Sequence, residues 1–411
     1  MYIPFFMNAQ NTSADSASYF LTEYKKNSKE FNTSLWGVLI DSPVLFIDKK
    51  SNNLFLSKSI GDTNETIYKS VFIYPLDNVS NITSPVFSWK NEDWVIVTLP
   101  TSKSKEELIE FIAHESFHNI QKKLSIERSS PSLPHLTTQK GKSLIHYELQ
   151  ELLKAFKLNT FSETKTIHLR NALLLRKYRY EEFPEAELIE KKAELNEGLA
   201  EYTGLTYAKY STNELVLHYH SVIKKLETMQ NEISYPYLTG SLYAFLNDSK
   251  DSLWRKKIPN LSVHEITETI YQINTNYNDS DLIENLLKSE EYKNFNALFQ
   301  ENDNKELVEK FSNNNLTLSL EGSEVQLNST IIISLPQLGT VYNNVIITNS
   351  WGKLIVDKDG IILISTEKNK ILLDQKSIKM DENLVSGIGW KLILDKNWLL
   401  ENEFDFVIKP K

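Results

Sequence analysis

The chain has no cysteine among its 411 residues, and this absence narrows the kinds of site it can form. Neither a disulfide nor a metal site built on thiolates is available. No stretch of 18 apolar residues occurs either, so the sequence predicts no membrane-spanning helix. Positive charge is also scarce. The net charge of −9 at pH 7 argues against nucleic acid, or an anionic membrane surface, as a partner.

The residues that are present predict a multidomain α+β protein. With 41% hydrophobic and 24% charged residues the composition is typical of globular proteins, and the length calls for more than one core. Residues 17–102 combine a helix at Ala17–Phe31 with short apolar runs, which indicates an antiparallel sheet. Helical patterns dominate residues 103–313. Residues 314–411 contain short apolar runs separated by glycine and aspartate, which predicts a β-sandwich or barrel-like domain.

The first residues of the chain bear on where the protein is located. Residues 1–16 begin with a short apolar patch that gives way to small and polar residues, as at the end of a signal peptide with cleavage near Ala9. On this interpretation the protein is exported to the periplasm or the extracellular space. An ordinary or disordered N-terminus of a cytoplasmic protein is the alternative.

His114 and His118 are four residues apart in a predicted helix, so their imidazoles share one face and can bind one Zn²⁺. Ser104 is placed to cap this helix, and apolar residues from Ile109 onward follow the helical period. Glu115 is turned by about 100° around the helix, where it can act as general base on a metal-bound water. The alternative is a surface helix whose two histidines have no special role.

A hydrolytic zinc site needs a third protein ligand, and a second helical pattern at residues 185–209 offers one. Glu197 and Glu201 are four residues apart, so both carboxylates point the same way. Glu197 can complete the ligand set, while Glu201 can accept the N–H of a ligating histidine. Gly198 costs about 1 kcal/mol relative to alanine inside a helix, which predicts the close approach of another helix or of substrate. A solvated acidic face is the alternative.

Together the two segments resemble the gluzincin metallopeptidases, which include thermolysin-like and aminopeptidase-like enzymes. The resemblance spans roughly residues 104–248, and it rests on His114, Glu115, His118, Asn196, Glu197, Ala200 and Glu201. The chain is most similar to bacterial gluzincin-like proteins, many of which are exported. It departs from compact members of the group because Glu197 follows His118 by 79 positions. The intervening chain must therefore fold back as helices.

The resemblance implies a cofactor, a substrate class and a role for each matching residue. The cofactor is one zinc ion per chain, and the substrate is a peptide or protein. The implied zinc ligands are His114, His118 and Glu197. Glu115 is implied as the catalytic base, and Glu201 and Asn196 as residues that support the ligands.

Such sites usually contain a second group that stabilises the oxyanion. Tyr237 is preferred for this role because it resembles a position of the family pattern, in the stretch Tyr237–Phe245. Tyr235, His218 and His220 lie nearby in the sequence and are alternatives. A tyrosine that only packs in the core is a further alternative.

Two other segments are candidates for binding substrate. Trp94–Leu99 has the pattern of a strand just before the metal helix, and as an edge strand it could pair with a substrate backbone. A packing strand is the alternative. Arg170, Arg176 and Arg179 precede the second ligand helix. One of them could bind a substrate carboxylate, although pairing with glutamates of neighbouring helices is favoured.

The sequence thus predicts a zinc-dependent peptidase in which Glu115 activates the attacking water. One alternative is a non-catalytic binding protein stabilised by zinc, but a purely structural site needs no base such as Glu115. Another is a zinc hydrolase that acts on a non-peptide amide or an ester, such as a cell-wall fragment.

Overall fold

The computed structural model describes most of the chain and has a mixed α and β fold. The described residues are 9–31, 33–76, 85–129, 131–158, 162–227, 234–275, 280–299, 305–312, 315–329, 332–335, 338–365, 370–374, 378–381, 383–402 and 406–410. An N-terminal sheet, a helical middle and C-terminal sheets follow one another, which confirms the predicted fold class.

The described residues form two compact units. The first unit lies within residues 1–133, 144–221 and 233–289, and the second within residues 134–143, 222–232 and 290–411. The first unit contains the N-terminal sheet and most of the helices, and the second contains the C-terminal sheets. The three-part division of the chain at 17–102, 103–313 and 314–411 stays a prediction.

Short apolar runs of the first unit form a six-stranded sheet. The strands are β1 (Val44–Asp48), β2 (Asn53–Leu56), β3 (Thr66–Tyr68), β4 (Val71–Pro75), β5 (Val86–Trp89) and β6 (Glu92–Leu99). Their order across the sheet is β3-β4-β2-β1-β6-β5. Leu45, Leu54 and Trp94 belong to the cluster of buried side chains on one face, and this burial is what stabilises the sheet.

The sheet is rich in antiparallel pairs, as predicted, and contains one parallel pair, in which Val44 of β1 lies opposite Val95 of β6. The prediction that Trp94–Leu99 is an edge strand is wrong, because it lies within β6, between β1 and β5, and β5 is an edge strand. Trp94–Leu99 instead belongs to a mostly buried packing strand, which was the alternative. Alternating strands and turns predict hairpins between neighbours in sequence, but they do not show which other strand the β5–β6 hairpin will join.

One helix precedes the N-terminal sheet, and the others fill the middle of the chain. They are α1 (Ala9–Phe31), α2 (Lys105–Ile120), α3 (Gln139–Lys157), α4 (Glu163–Glu182), α5 (Ala186–Ala193), α6 (Leu199–Ala208), α7 (Thr212–Leu226), α8 (Tyr235–Asp248), α9 (Val263–Tyr271), α10 (Ser280–Lys288), α11 (Glu290–Leu298) and α12 (Lys305–Ser312). Between α5 and α6 the backbone widens into π geometry over Glu194–Gly198, which we call the π turn.

The N-terminal helix differs from its prediction. It begins at Ala9 and not at Ala17, so the end of the predicted signal-peptide remnant is helical. Residues 1–8 of that remnant lie outside the described residues. Among the described residues, no helix combines the length and apolar character needed to cross a bilayer.

The second unit contains two sheets that share a core. Its strands are β7 (Asn315–Ser319), β8 (Glu324–Leu327), β9 (Ile332–Leu335), β10 (Gly339–Tyr342), β11 (Val345–Asn349), β12 (Gly352–Val356), β13 (Ile362–Ser365), β14 (Lys370–Asp374), β15 (Lys379–Asp381), β16 (Leu384–Gly387), β17 (Trp390–Leu394), β18 (Trp398–Asn402) and β19 (Phe406–Pro410). One sheet has the order β18-β19-β7-β14-β13-β10-β9, and the other β15-β16-β17-β12-β11-β8.

Side chains from both sheets meet in one buried cluster, as the predicted sandwich requires. Leu316 and Leu373 come from the seven-stranded sheet, and Leu354 and Trp390 from the six-stranded sheet. On the other face of the seven-stranded sheet, Phe311 of α12 packs in a smaller cluster. The apolar runs of the sequence do not predict β8, β10, β15, β16 or β18. The side chains of β8 and β15 are mostly exposed, so these two strands form no apolar pattern.

Candidate metal centre

Helix α2 carries both histidines, and its start is strongly specified. The Ser104 side chain accepts a hydrogen bond from the backbone N–H of Glu107, and the Glu107 carboxylate accepts one from the backbone N–H of Ser104. This reciprocal cap fixes where the helix begins. His114 and His118 then lie one turn apart, with ring centroids separated by 5.1 Å. Their side chains are 12% and 6% exposed, at the edge of the core.

The π turn brings a carboxylate to the two histidines. Glu197 Oε2 lies 3.5 Å from Nε2 of His114 and 3.5 Å from Nε2 of His118. One donor atom from each of the three residues lies within 4.8 Å of the others. Helices α2 and α6 approach closely at Gly204, which has no side chain. A Cβ at this position would lie only 2.7 Å from the backbone oxygen of Glu110. This packing places Glu197 beside His118 in spite of their separation in sequence.

The three side chains fit a divalent metal ion such as zinc. A tetrahedral zinc ion with bonds of about 2.0–2.2 Å keeps its donor atoms about 3.3–3.6 Å apart. The distances of 3.5 Å from Glu197 to both histidines match that separation. Two imidazole nitrogens and one carboxylate oxygen also leave a fourth position for water or substrate. Cobalt and manganese accept the same donors.

Glu201 supports His114 on the side opposite Glu197. Its Oε2 lies 3.3 Å from His114 Nδ1, while Glu197 faces Nε2 of the same ring. Glu201 Oε1 lies 3.7 Å from Nε2 of His218. A carboxylate at Nδ1 favours the tautomer that carries its proton there and leaves Nε2 for a metal.

His118 is held by Gln121, which sequence analysis misses. Gln121 Oε1 lies 3.1 Å from His118 Nδ1, and Gln121 Nε2 donates a hydrogen bond to the carbonyl oxygen of Asn196 at 2.9 Å. Asn196 Nδ2 in turn donates to Glu197 Oε1 at 2.8 Å. The chain of contacts orients a histidine and the carboxylate together. The signal available in the sequence was the spacing of Gln121, three residues after His118 on the same face.

The protonation of His114 is coupled to the carboxylates around it. Burial disfavours the charged imidazole, but hydrogen bonds with Glu197 and Glu201 outweigh burial and raise the pKa of His114 to about 10. Burial also opposes ionisation of Glu201, yet His114 and His218 lower the pKa of this carboxyl to about 2. For Glu197 too, burial is outweighed by His114 and His118, and its pKa lies far below the usual range. A metal ion therefore has to displace a proton from His114.

Tyr237 lies against the same cluster. Its ring stacks on that of His114, with centroids 5.6 Å apart and planes 9° apart, and its hydroxyl forms a hydrogen bond with the Glu197 carboxylate. Helix α8 reaches this position because two glycines meet. A Cβ on Gly198 would lie 2.7 Å from the Cα of Gly240. The prediction that Gly198 admits another helix is thus confirmed.

The other residues considered as oxyanion donors are placed differently. Tyr235 is buried in the core, with 2% of its surface exposed, and His220 is an exposed residue of α7. His218 lies beside Glu201. Of the four, Tyr237 is the one that lines a cavity together with Glu115 and Glu197.

Glu115 lines a cavity of about 290 Å³ together with the three metal-binding candidates. The residues around this cavity are Pro85, Val86, His114, Glu115, His118, Arg128, Ser129, Asn196, Glu197 and Tyr237. Glu115 is partly exposed and is not one of the three clustered donors. Its carboxylate can therefore meet water or substrate. Val86 brings the edge strand β5 to the cavity, and neither it nor Arg128 is singled out by the sequence.

Arg176 and Arg179 pair with glutamates, which confirms the favoured prediction for them. Arg176 donates to Glu148 at 2.6 Å and to both oxygens of Glu194 at 3.0 and 2.5 Å. Arg179 donates to both oxygens of Glu190 at 2.7 Å. The two arginine side chains are 1% and 0% exposed, so neither can bind a substrate carboxylate. They connect α4 to α3, α5 and the π turn.

Comparison with known protein families, curated proteins and solved structures finds no match to this chain. The geometry of the site therefore carries the functional argument.

Proposed function

We propose that this chain is a zinc-dependent hydrolase that cleaves peptide bonds. One observation carries the proposal: His114, His118 and Glu197 bring one donor atom each within 4.8 Å of the others, beside a carboxylate that is not among those donors. That carboxylate is Glu115. A structural zinc site is typically closed by four protein ligands, whereas three ligands with an open position are typical of catalysis. The resemblance to gluzincin metallopeptidases supports a peptide as substrate.

The residues around the cluster divide the chemistry between them. Zinc, when bound, lowers the pKa of water and polarises a carbonyl group. On this proposal the Glu115 carboxylate, which lines the cavity, takes a proton from the attacking water and gives it to the nitrogen of the leaving amine. In the net reaction the water oxygen joins the carbonyl carbon, the carbon–nitrogen bond breaks and the nitrogen gains a proton. When substrate binds, the Tyr237 hydroxyl would exchange its hydrogen bond with Glu197 for one to the oxygen that gains negative charge.

Strand β5 is our candidate for holding the substrate backbone. It is one of the two edge strands of the N-terminal sheet, and its first residue, Val86, lines the cavity that contains Glu115. An edge strand presents backbone N–H and C=O groups with which an extended peptide can pair. This is the role that the sequence pattern suggests for Trp94–Leu99, moved to the neighbouring strand.

Metal content and peptide hydrolysis, measured on the full chain, test this function. Elemental analysis should find one zinc per chain in the wild-type protein and in Glu115→Gln, and little or none in Glu197→Ala. Incubation with a peptide mixture, followed by mass spectrometry, should show cleavage by the wild type. In Glu115→Gln cleavage should fall by a factor of about 10²–10⁴, because the general base is lost.

Each contrary result has a definite meaning. Absence of zinc from the wild type after reconstitution contradicts the metal site. Zinc without peptide cleavage, but with release of product from cell-wall amides or esters, favours a hydrolase of another substrate class. Zinc with no hydrolysis of any kind favours a non-catalytic protein stabilised by the metal.

A further inference from the structure

A second cavity of about 430 Å³ adjoins the candidate metal centre. This volume lies in the range of about 300–1,000 Å³ that is usual for ligand sites. The cavity shares His114, Glu115 and Tyr237 with the cavity described above. It therefore opens onto the groups that we propose to act on the substrate. A side chain next to the cleaved bond is the part of a peptide that would enter it.

Glu110 lines this second cavity one turn before His114 on α2. Tyr210 Oη donates a hydrogen bond to Glu110 Oε2 at 3.0 Å. Within the described part of the chain, no lysine, arginine or histidine forms an ion pair with Glu110. Burial and the neighbouring carboxylate of Glu201 raise the pKa of Glu110 to about 7. Glu110 is thus a largely buried carboxyl group with no counter-ion at ion-pair distance, although the charges of His218 and Lys103 act on it from farther away.

The basic groups of the lining form no ion pair with Glu110, and the charges of His218 and Lys103 only partly oppose the rise of its pKa. Glu201 is engaged by His114 and His218. Lys103 is exposed at the rim, with its Nζ 5.9 Å from the centroid of the Phe111 ring. The other two carboxylates of the lining are Glu107 and Glu115. The lining has four carboxylates, from Glu107, Glu110, Glu115 and Glu201, against three basic side chains, from Lys103, His114 and His218. Carboxylates thus outnumber basic groups, so the lining favours a ligand that carries positive charge.

The chemistry of the cavity points to an organic cation and not to a second metal ion. Among the described residues, the side chains of His114, His118 and Glu197 are the group with metal-binding geometry, and Glu110 is not part of it. The rings of Phe111, Tyr210 and Tyr237 lie in the same lining. Aromatic rings beside a carboxylate suit the aliphatic stem and charged end of a long basic side chain.

We propose that this cavity is a specificity pocket for a lysine or arginine side chain of the substrate, selected by Glu110. The ammonium or guanidinium group would form the ion pair that Glu110 lacks, through a charge-assisted hydrogen bond. This inference rests on the proposed function, because that function places the pocket beside the bond to be cleaved. It goes further by naming the residue next to that bond.

Binding to a zinc-loaded but catalytically disabled protein tests the pocket without requiring turnover. The protein is Glu115→Gln. The probes are two peptides that differ at one position, lysine in one and norleucine in the other, placed in turn on each side of the central bond. Norleucine has a similar aliphatic chain but no charge. By calorimetry, the lysine peptide should bind about tenfold more tightly or better at one of these positions.

Substitution of the selecting residue should remove the preference. Glu110→Gln in the same background should bring the ratio of the two affinities close to one. The matched control is Glu106→Gln, which removes the same charge from the same helix at a residue outside the cavity lining. It should leave the ratio unchanged. Zinc content of all variants confirms that they are compared in the same loaded state.

The outcomes separate this inference from the proposed function. Equal binding of the two peptides, no binding of either, or a preference that survives Glu110→Gln overturns the pocket. Cleavage of peptides without preference for a basic residue also overturns the pocket but leaves the proposed function intact. Lysine-selective binding by the disabled protein, with no cleavage by the wild type, supports the pocket and counts against the proposed function.

Discussion

At the scale of single residues, His114 lies between two carboxylates, and this position governs how a metal ion can bind. Glu197 faces Nε2 and Glu201 faces Nδ1 of the same ring. Without a metal, the imidazole shares its positive charge with both. When a metal ion binds Nε2, the imidazole keeps the proton on Nδ1, which faces Glu201. The proton on Nε2 is released.

The apparent affinity for zinc should therefore rise with pH. Since the pKa of His114 in the metal-free protein is about 10, the proton competes with zinc below that pH. Competition against a chelator of known affinity, from about pH 6.5 to pH 8, should show an increase of about tenfold per pH unit. Calorimetry in two buffers of different ionisation enthalpy should show release of about one proton per zinc.

The variant Glu201→Gln tests the cause of this dependence. It removes one of the groups that raise the pKa of His114. The slope of affinity against pH should become shallower, and affinity should fall by about 10–100-fold through loss of the support at Nδ1. A flat pH profile for the wild-type protein would contradict the pairing of His114 with these carboxylates.

At the scale of elements, the contact between the π turn and α8 sets the distance between Glu197 and Tyr237. Neither Gly198 nor Gly240 has a side chain, and the Cα of each would lie within 2.8 Å of a Cβ on the other. Helix backbones can approach this closely only where both positions lack a Cβ. The glycine that weakens the helix in isolation thus allows the tertiary contact that completes the site.

Gly198→Ala should push the two elements apart. The added Cβ would meet backbone atoms of Gly240 and Pro236 at 2.7 Å, and backbone yields less readily than a flexible side chain. We expect the free energy of unfolding to fall by about 1–3 kcal/mol, together with weaker zinc binding because Glu197 shifts. Denaturant unfolding and zinc titration measure both effects. Asn213→Ala, at an exposed position of α7, is the control and should change neither.

The buried ion pairs behind the π turn are a second element-scale feature. Arg176 binds both oxygens of Glu194, and Thr239 of α8 donates to the same carboxylate at 2.6 Å. Burial opposes ionisation of Glu194, but Arg176 and His264 lower its pKa to about 2. Because this pKa is depressed on folding, the stabilisation is present above about pH 4.5 and is lost as pH falls towards 2.

Glu194→Gln should remove this stabilisation. At neutral pH the free energy of unfolding should decrease by about 3 kcal/mol or more, because Arg176 loses a charged partner in the core. The decline of stability from about pH 4.5 to pH 2 should also be smaller than in the wild type. Urea unfolding at several pH values measures both. Glu187→Gln, exposed on α5, should behave like the wild type, and an equal loss there would contradict the assignment.

At the scale of the whole molecule, the candidate metal centre and the C-terminal sandwich belong to different units. The candidate metal centre lies entirely within the first unit. The second unit is a sandwich whose core draws buried side chains from both of its sheets. In β17 of this sandwich, buried and exposed residues alternate over the full strand.

Leu354→Ala tests this separation. Leu354 is fully buried between the two sheets, so the truncation should destabilise the sandwich by about 2–5 kcal/mol. Near-ultraviolet circular dichroism reports on Trp351 and Trp390 in the same cluster. Zinc content should stay at one per chain. Loss of zinc together with unfolding of the sandwich would show that the metal depends on the second unit.

Local features of the site could be predicted from the sequence because they depend on neighbours along the chain. Helix periodicity puts His114 and His118 on one face, and Ser104 caps the helix that carries them. The same reasoning places Glu197 and Glu201 one turn apart. The close contact at Gly198 could also be predicted, because glycine destabilises a helix and its presence there indicates close packing.

Tertiary structure alone decided which distant parts meet. It brought Glu197 to His118, placed β5 at an edge beside the cavity and enclosed Glu110 with a tyrosine partner but no ion pair. None of these is encoded in spacing, because each depends on packing between segments that are far apart in sequence. The sequence determined the candidate donors and the helices that present them. The fold determined their distances and the charge of the space around them, because distance and dielectric environment belong to the packed molecule.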